Sequence, residues 1–172
     1  KSAVCEVDSS DKLSSYLPPA GKGASSALRG KSTGSITRTY RLAVATTGEY
    51  GEYHGGTTET ALSAVVATVN RVDGIFETEL AIKLELVETN DEIVFVDPAT
   101  DPFSGNDDAS TLIDESQEQI DTIIGRENYD VGHTLSTGAG GLAGLGVICR
   151  EGAKAEGVTG SSRPEDDFFD VD

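Results

Sequence analysis

The stretch Thr39-Tyr40-Arg41-Leu42-Ala43-Val44-Ala45-Thr46 decides the fold class. Tyr40, Leu42 and Val44 alternate with Arg41, Ala43 and Ala45, a two-residue period that marks a β-strand. Ala43 and Ala45 make its second face small and apolar, so both faces are expected under cover, as in the interior of a largely parallel sheet. Downstream, Gly48 to Gly56 reads as a Gly/Tyr/Glu loop. Thr57 or Thr58 then caps a helix in which Leu62, Val65, Val66, Val69, Val72 and Phe76 recur at helical spacing. Ala81 to Glu88 alternates again, with Ile82, Leu84 and Leu86 on one face, and Ile93 to Val96 reads as a short strand closed by Asp97-Pro98. Asp97 to Asp108 is loop-like; Asp108 caps a second helix with Leu112, Ile113, Ile120, Ile123 and Ile124 on its buried side, and Gly125 ends it. Tyr129 to Ser136 reads as a strand, Gly138 to Cys149 as an edge strand or bulged loop, and Arg150 to Pro164 as irregular. The order predicts an α/β fold: a mixed, mostly parallel twisted sheet of about five strands with two main helices.

Upstream of this domain, residues 1–36 are rich in Ser, Gly, Ala and Lys, carry Pro18-Pro19 and show no apolar period. They read as a flexible arm, a linker or pro-region remnant, leaving 37–172 as the folded part. The chain opens at Lys1 and contains no methionine, which suggests a processed or excised piece, although an arbitrary boundary looks the same. Thirty acidic residues against thirteen basic ones give a net charge of -17. That field repels phosphate backbones and anionic lipid, which argues against nucleic acid and membrane as partners. Interspersed with polar residues, the carboxylates read as a solvated surface suited to a salty external medium. No apolar run is long enough to span a membrane, and no signal peptide opens the chain.

Motifs of known chemistry are missing: the chain has no GxSxG, phosphate loop, CxxC or HExxH. Its two histidines, His54 and His133, fall short of the three protein ligands of a catalytic zinc and read as structural side chains. Gly138-Ala139-Gly140-Gly141 lacks the Lys-Ser/Thr ending of a phosphate cradle. Glycine in an edge strand weakens it unless the chain must bulge or something must approach the backbone. An extended peptide is such a thing, and Gly141, Ala143, Gly144 and Gly146 leave room for its side chains; a bulged loop explains the composition equally well. Cys5 and Cys149 are compatible with one disulfide in an oxidising compartment or with two separate thiols.

The Gly141-Leu142-Ala143-x-x-Gly146-x-x-Cys149 pattern, the Asp130-led strand before it, Arg38 to Tyr50, His54-Gly55-Gly56-Thr57, Val69 to Val72, Asn128 to His133 and Gly157 to Ser161 form a set. Together they resemble the upper part of the reprolysin-like zinc metallopeptidases of the metzincin group, in particular a secreted bacterial branch. The resemblance implies an upper subdomain whose strand at Gly141, Leu142, Ala143 and Gly144 borders the cleft and binds substrate in extended form. It also implies that a helix carrying HExxHxxGxxH comes next, with three histidines on zinc and a glutamate as general base. Neither His54 nor His133 corresponds to those ligands, so no catalytic or metal-binding residue transfers to this chain. Relatives with a calcium site use an acidic residue where this sequence has Arg41, so that site is not expected. The cysteine matching Cys149 usually pairs with one late in the catalytic domain. Cys5 lies where many precursors carry an inhibitory cysteine, which leaves a disulfide or a switch as its readings.

These expectations amount to the N-terminal part of a secreted zinc endopeptidase acting on peptide or protein substrates, with zinc in the complete enzyme and none held by this chain. By itself the chain is expected to be inactive, and to self-associate or lose stability through an uncovered sheet face. A non-catalytic extracellular peptide-binding module is the alternative. A flavodoxin-like domain fits the element order, but Thr46-Thr47-Gly48 offers little for a ligand after the first strand.

Overall fold

A computed structural model describes residues 36–138 and 140–170. The predicted arm and Cys5 therefore lie outside the described residues. β1 (Arg38–Thr46) leads through α1 (Gly48–Tyr53) into α2 (Thr58–Leu80), followed by β2 (Ile82–Leu86), α3 (Ala109–Ile123), β3 (Val131–Ser136), β4 (Gly141–Ala143), β5 (Gly157–Gly160) and α4 (Asp166–Asp170). The five strands form one sheet in the order β2-β1-β3-β5-β4. All pairings are parallel except β4 against β5. The mixed, mostly parallel α/β sheet is thus as the sequence predicts, with β1 inside it.

Alternation along β1 assigns its two faces. Leu42 and Val44 join Val65 and Val69 of α2, Leu135 of β3 and Phe169 of α4 in one apolar cluster. Ala43 and Ala45 join Ile120 and Ile124 from the α3 segment, with Tyr129 and Ala155, in the other. Small residues on the α3 face let that helix lie close to the sheet. On β3 the same closeness requires Gly132, where a Cβ would collide with Ala155. The caps are those predicted: Thr57 Oγ1 accepts from Thr60 N at 3.2 Å, and Asp108 Oδ1 accepts from Ser110 N at 3.0 Å. Of the predicted α2 stripe, Val65 and Val69 are buried, Leu62, Val72 and Phe76 are half-buried, and Val66 is exposed.

Three expectations change. Gly48 to Tyr53 is helical rather than loop, capped by Thr47, whose Oγ1 accepts from Tyr50 N at 3.4 Å. Its glycines serve close packing: a Cβ on Gly48 would collide with the Asp97–Pro98 backbone, and one on Gly51 with Phe95 O. Ile93 to Val96 is not a strand. Asn90 to Ile93 forms a 3-10 turn, and Val94 makes a single bridge to Thr46. The buried Asn90 carboxamide stands in for a strand there, accepting from Val44 N at 2.8 Å and donating to Val44 O at 3.0 Å. Finally, the stretch read as irregular holds β5, inserted between β3 and β4. Glycine at both of its ends masked it. Gly157 is needed because a Cβ would lie 2.7 Å from His133 Nδ1.

Candidate functional site

β4 ends the sheet, and all three of its residues are exposed. Its register against β5 pairs Gly141 with Thr159, Leu142 with Val158 and Ala143 with Gly157. Just outside the strand, Gly160 N donates to Gly140 O at 2.7 Å and Gly144 N to Glu156 O at 2.9 Å. Antiparallel strands bond through every second residue, so Gly140, Leu142 and Gly144 turn their backbone groups toward β5. Gly141 and Ala143 therefore direct their N–H and C=O groups to the free side of the sheet.

Side-chain faces follow from the neighbours. Thr134 Oγ1 donates to Ser116 Oγ of α3 at 2.7 Å, and Thr134 is in register with Val158, which puts Val158 and Leu142 on the α3 face. Thr159 meets His133 Nε2 at 2.9 Å, so Thr159 and Gly141 belong to the opposite face, with Ala143. A Cβ at Gly141 would meet nothing closer than Val158 O at 3.6 Å. Internal packing thus does not demand glycine there, and the space is open to something outside the chain. Gly144 differs, because a Cβ would come within 2.6 Å of Glu156 Oε2 and 2.7 Å of Val147 Cγ1. Beyond the strand, Leu145 is 95% exposed and Ile148 46%, which extends an apolar margin along the edge.

The loop after β4 is tied back at Cys149, whose N–H donates to Asp130 O at 2.9 Å. Cys149 is disulfide-bonded. Asp130 is in turn held by Arg41, whose backbone N, Nε and Nη2 donate to its carboxylate at 2.8, 3.1 and 2.8 Å. Burial alone would raise the Asp130 pKa, but the Arg41 hydrogen bonds and charge outweigh it, and the net shift is downward. A guanidinium thus neutralises this carboxylate from within the chain.

On the face opposite α3, a cavity of about 280 Å³ opens between α2, the sheet and α4, lined by Val72, Phe76, Leu84, Val131, His133 and Phe169 among others. His133 is kept neutral, its pKa lowered to about 4 by burial. His54 lies at the end of α1, and its Nε2 is 3.1 Å from Pro164 O. The two histidines serve separate structural contacts. Among the described residues no group of three or more His, Cys, Asp and Glu side chains could hold a metal ion, so the residues present do not fit a catalytic zinc.

Of the sequence-predicted site, Gly141, Leu142, Ala143 and Gly144 are contiguous along one edge, while the Cys5 half of the cysteine expectation lies outside the described residues. Sequence reasoning missed β5 and Thr159, which decide how the edge is presented. The Val158-Thr159 pair between two glycines was the available signal.

No protein of curated function matches the chain. The family model described as metallo-peptidase family M12B, reprolysin-like, matches residues 36–172, the whole sheet and its helices, and the chain belongs to that family.

Proposed function

We propose that this chain is the substrate-presenting part of a secreted bacterial zinc endopeptidase, in which β4 takes a peptide or protein segment as an added strand. The observation that carries the reading is the outward backbone of Gly141 and Ala143 at an exposed edge with room beside it. Leu142 and the small residues at 141 and 143 then shape alternate pockets for the peptide's side chains, while the space beside Gly144 is filled by Glu156 and Val147. The chain contains no HExxH, which supports the reading that it supplies the substrate edge and not the metal. Zinc belongs to the complete enzyme. A disulfide-bonded Cys149 supports an oxidising, extracellular setting. Among the described residues no helix is long and apolar enough to cross a membrane, and the acidic surface disfavours nucleic acid. The cavity face supports self-association of the isolated chain, which a single monomeric species in sedimentation would refute.

The test is peptide capture. A synthetic peptide alternating valine and threonine binds, and its twin N-methylated at alternate residues binds at least about tenfold more weakly, because the main-chain donors are gone. Ala143→Pro removes one outward N–H without touching the ladder to β5, and weakens capture roughly threefold to tenfold with circular dichroism unchanged. Equal binding of the two peptides would end the edge-strand reading. The same edge serves the alternative, a non-catalytic peptide-binding module. Reading the coding sequence beyond the Asp172 codon for HExxHxxGxxH separates the two.

A further inference from the structure

The connection from β5 into α4 has no regular structure of its own, yet it is pinned from one side by α1. His54 Nε2 lies 3.1 Å from Pro164 O, and Pro164 is fully buried. The imidazole is itself wedged between aromatic rings, 4.4 Å from Tyr50 and 5.0 Å from Tyr53, centroid to centroid. Tyr50, also fully buried, reaches the far end of the segment, its ring 6.2 Å from Phe169 of α4. On the exposed side, Arg163 pairs with Glu165 at 3.6 Å, and Ser161 and Arg163 exchange hydrogen bonds at 3.2 Å. Between the two anchors the chain turns through Asp166 at φ 68, a left-handed conformation that persists only where the surroundings hold it.

We infer that His54 is a positioning residue: with Tyr50 it clamps residues 161–170 and sets the direction in which the chain leaves the sheet toward the cavity face. A carbonyl only accepts, so His54 Nε2 carries the hydrogen and Nδ1 does not need one. The ring is suited to this because it combines a donor with an aromatic body that meets Tyr50 tilted at 50° and Tyr53 edge-to-face at 73°. The neighbouring charges are Glu165 and Arg163 on the clamped segment, both at its solvent side. The inference holds whether or not β4 binds peptide, and its test does not use peptide.

Backbone amide exchange of the chain reads the clamp directly. His54→Phe keeps the flat ring and removes the donor, and is expected to speed exchange across residues 161–170 roughly threefold to tenfold while β1 and α3 keep their protection. His54→Gln returns an N–H near the Nε2 position and restores most of the protection. In the unsubstituted chain, imidazole nitrogen-15 shifts should show the hydrogen on Nε2 at neutral pH. Faster exchange spread equally over β1 and α3, or a glutamine variant as loose as the phenylalanine one, would reduce His54 to ordinary core packing. If His54→Phe does not fold, the nitrogen-15 spectrum decides: a hydrogen on Nδ1 alone overturns the clamp.

Discussion

The two faces of the sheet are built by different means. Against α3, small side chains bring helix and strands together, and polar groups lock them. Ser116 Oγ donates to Ala155 O at 2.8 Å, Gln117 Oε1 accepts from Ala155 N at 2.7 Å, and Gln117 Nε2 donates to the Tyr129 hydroxyl at 3.0 Å. That hydroxyl donates to Asp121 at 2.8 Å, and the buried Lys154 ammonium lies 4.5 Å above the Tyr129 ring. Against α2 the contacts are mainly apolar, with one hydrogen bond at the rim from Leu84 N to Asp73 Oδ1 at 2.6 Å, and they stop at a cavity of about 280 Å³ beneath α4. The difference teaches that one face is complete within these residues, while the other has apolar surface to spare. A hydrogen-bonded, close-packed face responds sharply to any change in volume; a face with empty space does not.

The largest expected effect is the test of that asymmetry. Ile120→Ala, on the closed face, should cost about 3 kcal/mol in urea unfolding, while Val131→Ala at the cavity should cost about 1, because the space around it is already incomplete. Equal losses would break the comparison. Next comes pH. His133 has its folded pKa lowered to about 4, below the unfolded value near 6.5, so the folded state binds fewer protons in between. Its contribution is whole above pH 6.5 and is lost as pH falls toward 4, about 3 kcal/mol at most. His133→Gln should remove most of the slope over that window, leaving the smaller part due to His54, whose pKa burial also lowers. Loss continuing below pH 4 comes from carboxylates with depressed pKa values, Asp130 beside Arg41 and the Asp108 cap, which have the same sign and a lower range. The smallest effect comes from enlarging one side chain on each face. Ala43→Val on the closed face should destabilise by about 1 to 3 kcal/mol, whereas Val131→Ile at the cavity should be neutral or stabilising by about 0.5. A stabilising Ala43→Val would show that the α3 face is looser than its geometry indicates.

The candidate edge was only partly legible. Glycines at 141, 144 and 146 gave a reason to look there, since nothing in a strand favours them. Which residues turn their backbone outward depends on register with β5, and β5 was hidden by glycines that answer to His133 and Ser136 across the sheet. The α1 glycines misled in the same way: Gly48 and Gly51 look like a loop, but they admit the 95–98 backbone. Ile93 to Val96 reads as a strand; Ile93 and Val94 are buried without forming one, because a side chain, Asn90, supplies the pairing that β1 needs at Val44.

By itself the sequence determined the α/β class, the interior position of β1, the Thr57 and Asp108 caps, the acidic surface and the glycine-rich edge segment. These rest on periodicity, capping and composition, which act between residues close along the chain. Tertiary structure alone decided that β5 lies between β3 and β4, that Gly141 and Ala143 face outward, that Arg41 neutralises Asp130 and that His54 holds Pro164. Each of these joins residues far apart in sequence, and partners of that kind are selected by packing across the sheet, where local pattern carries no information.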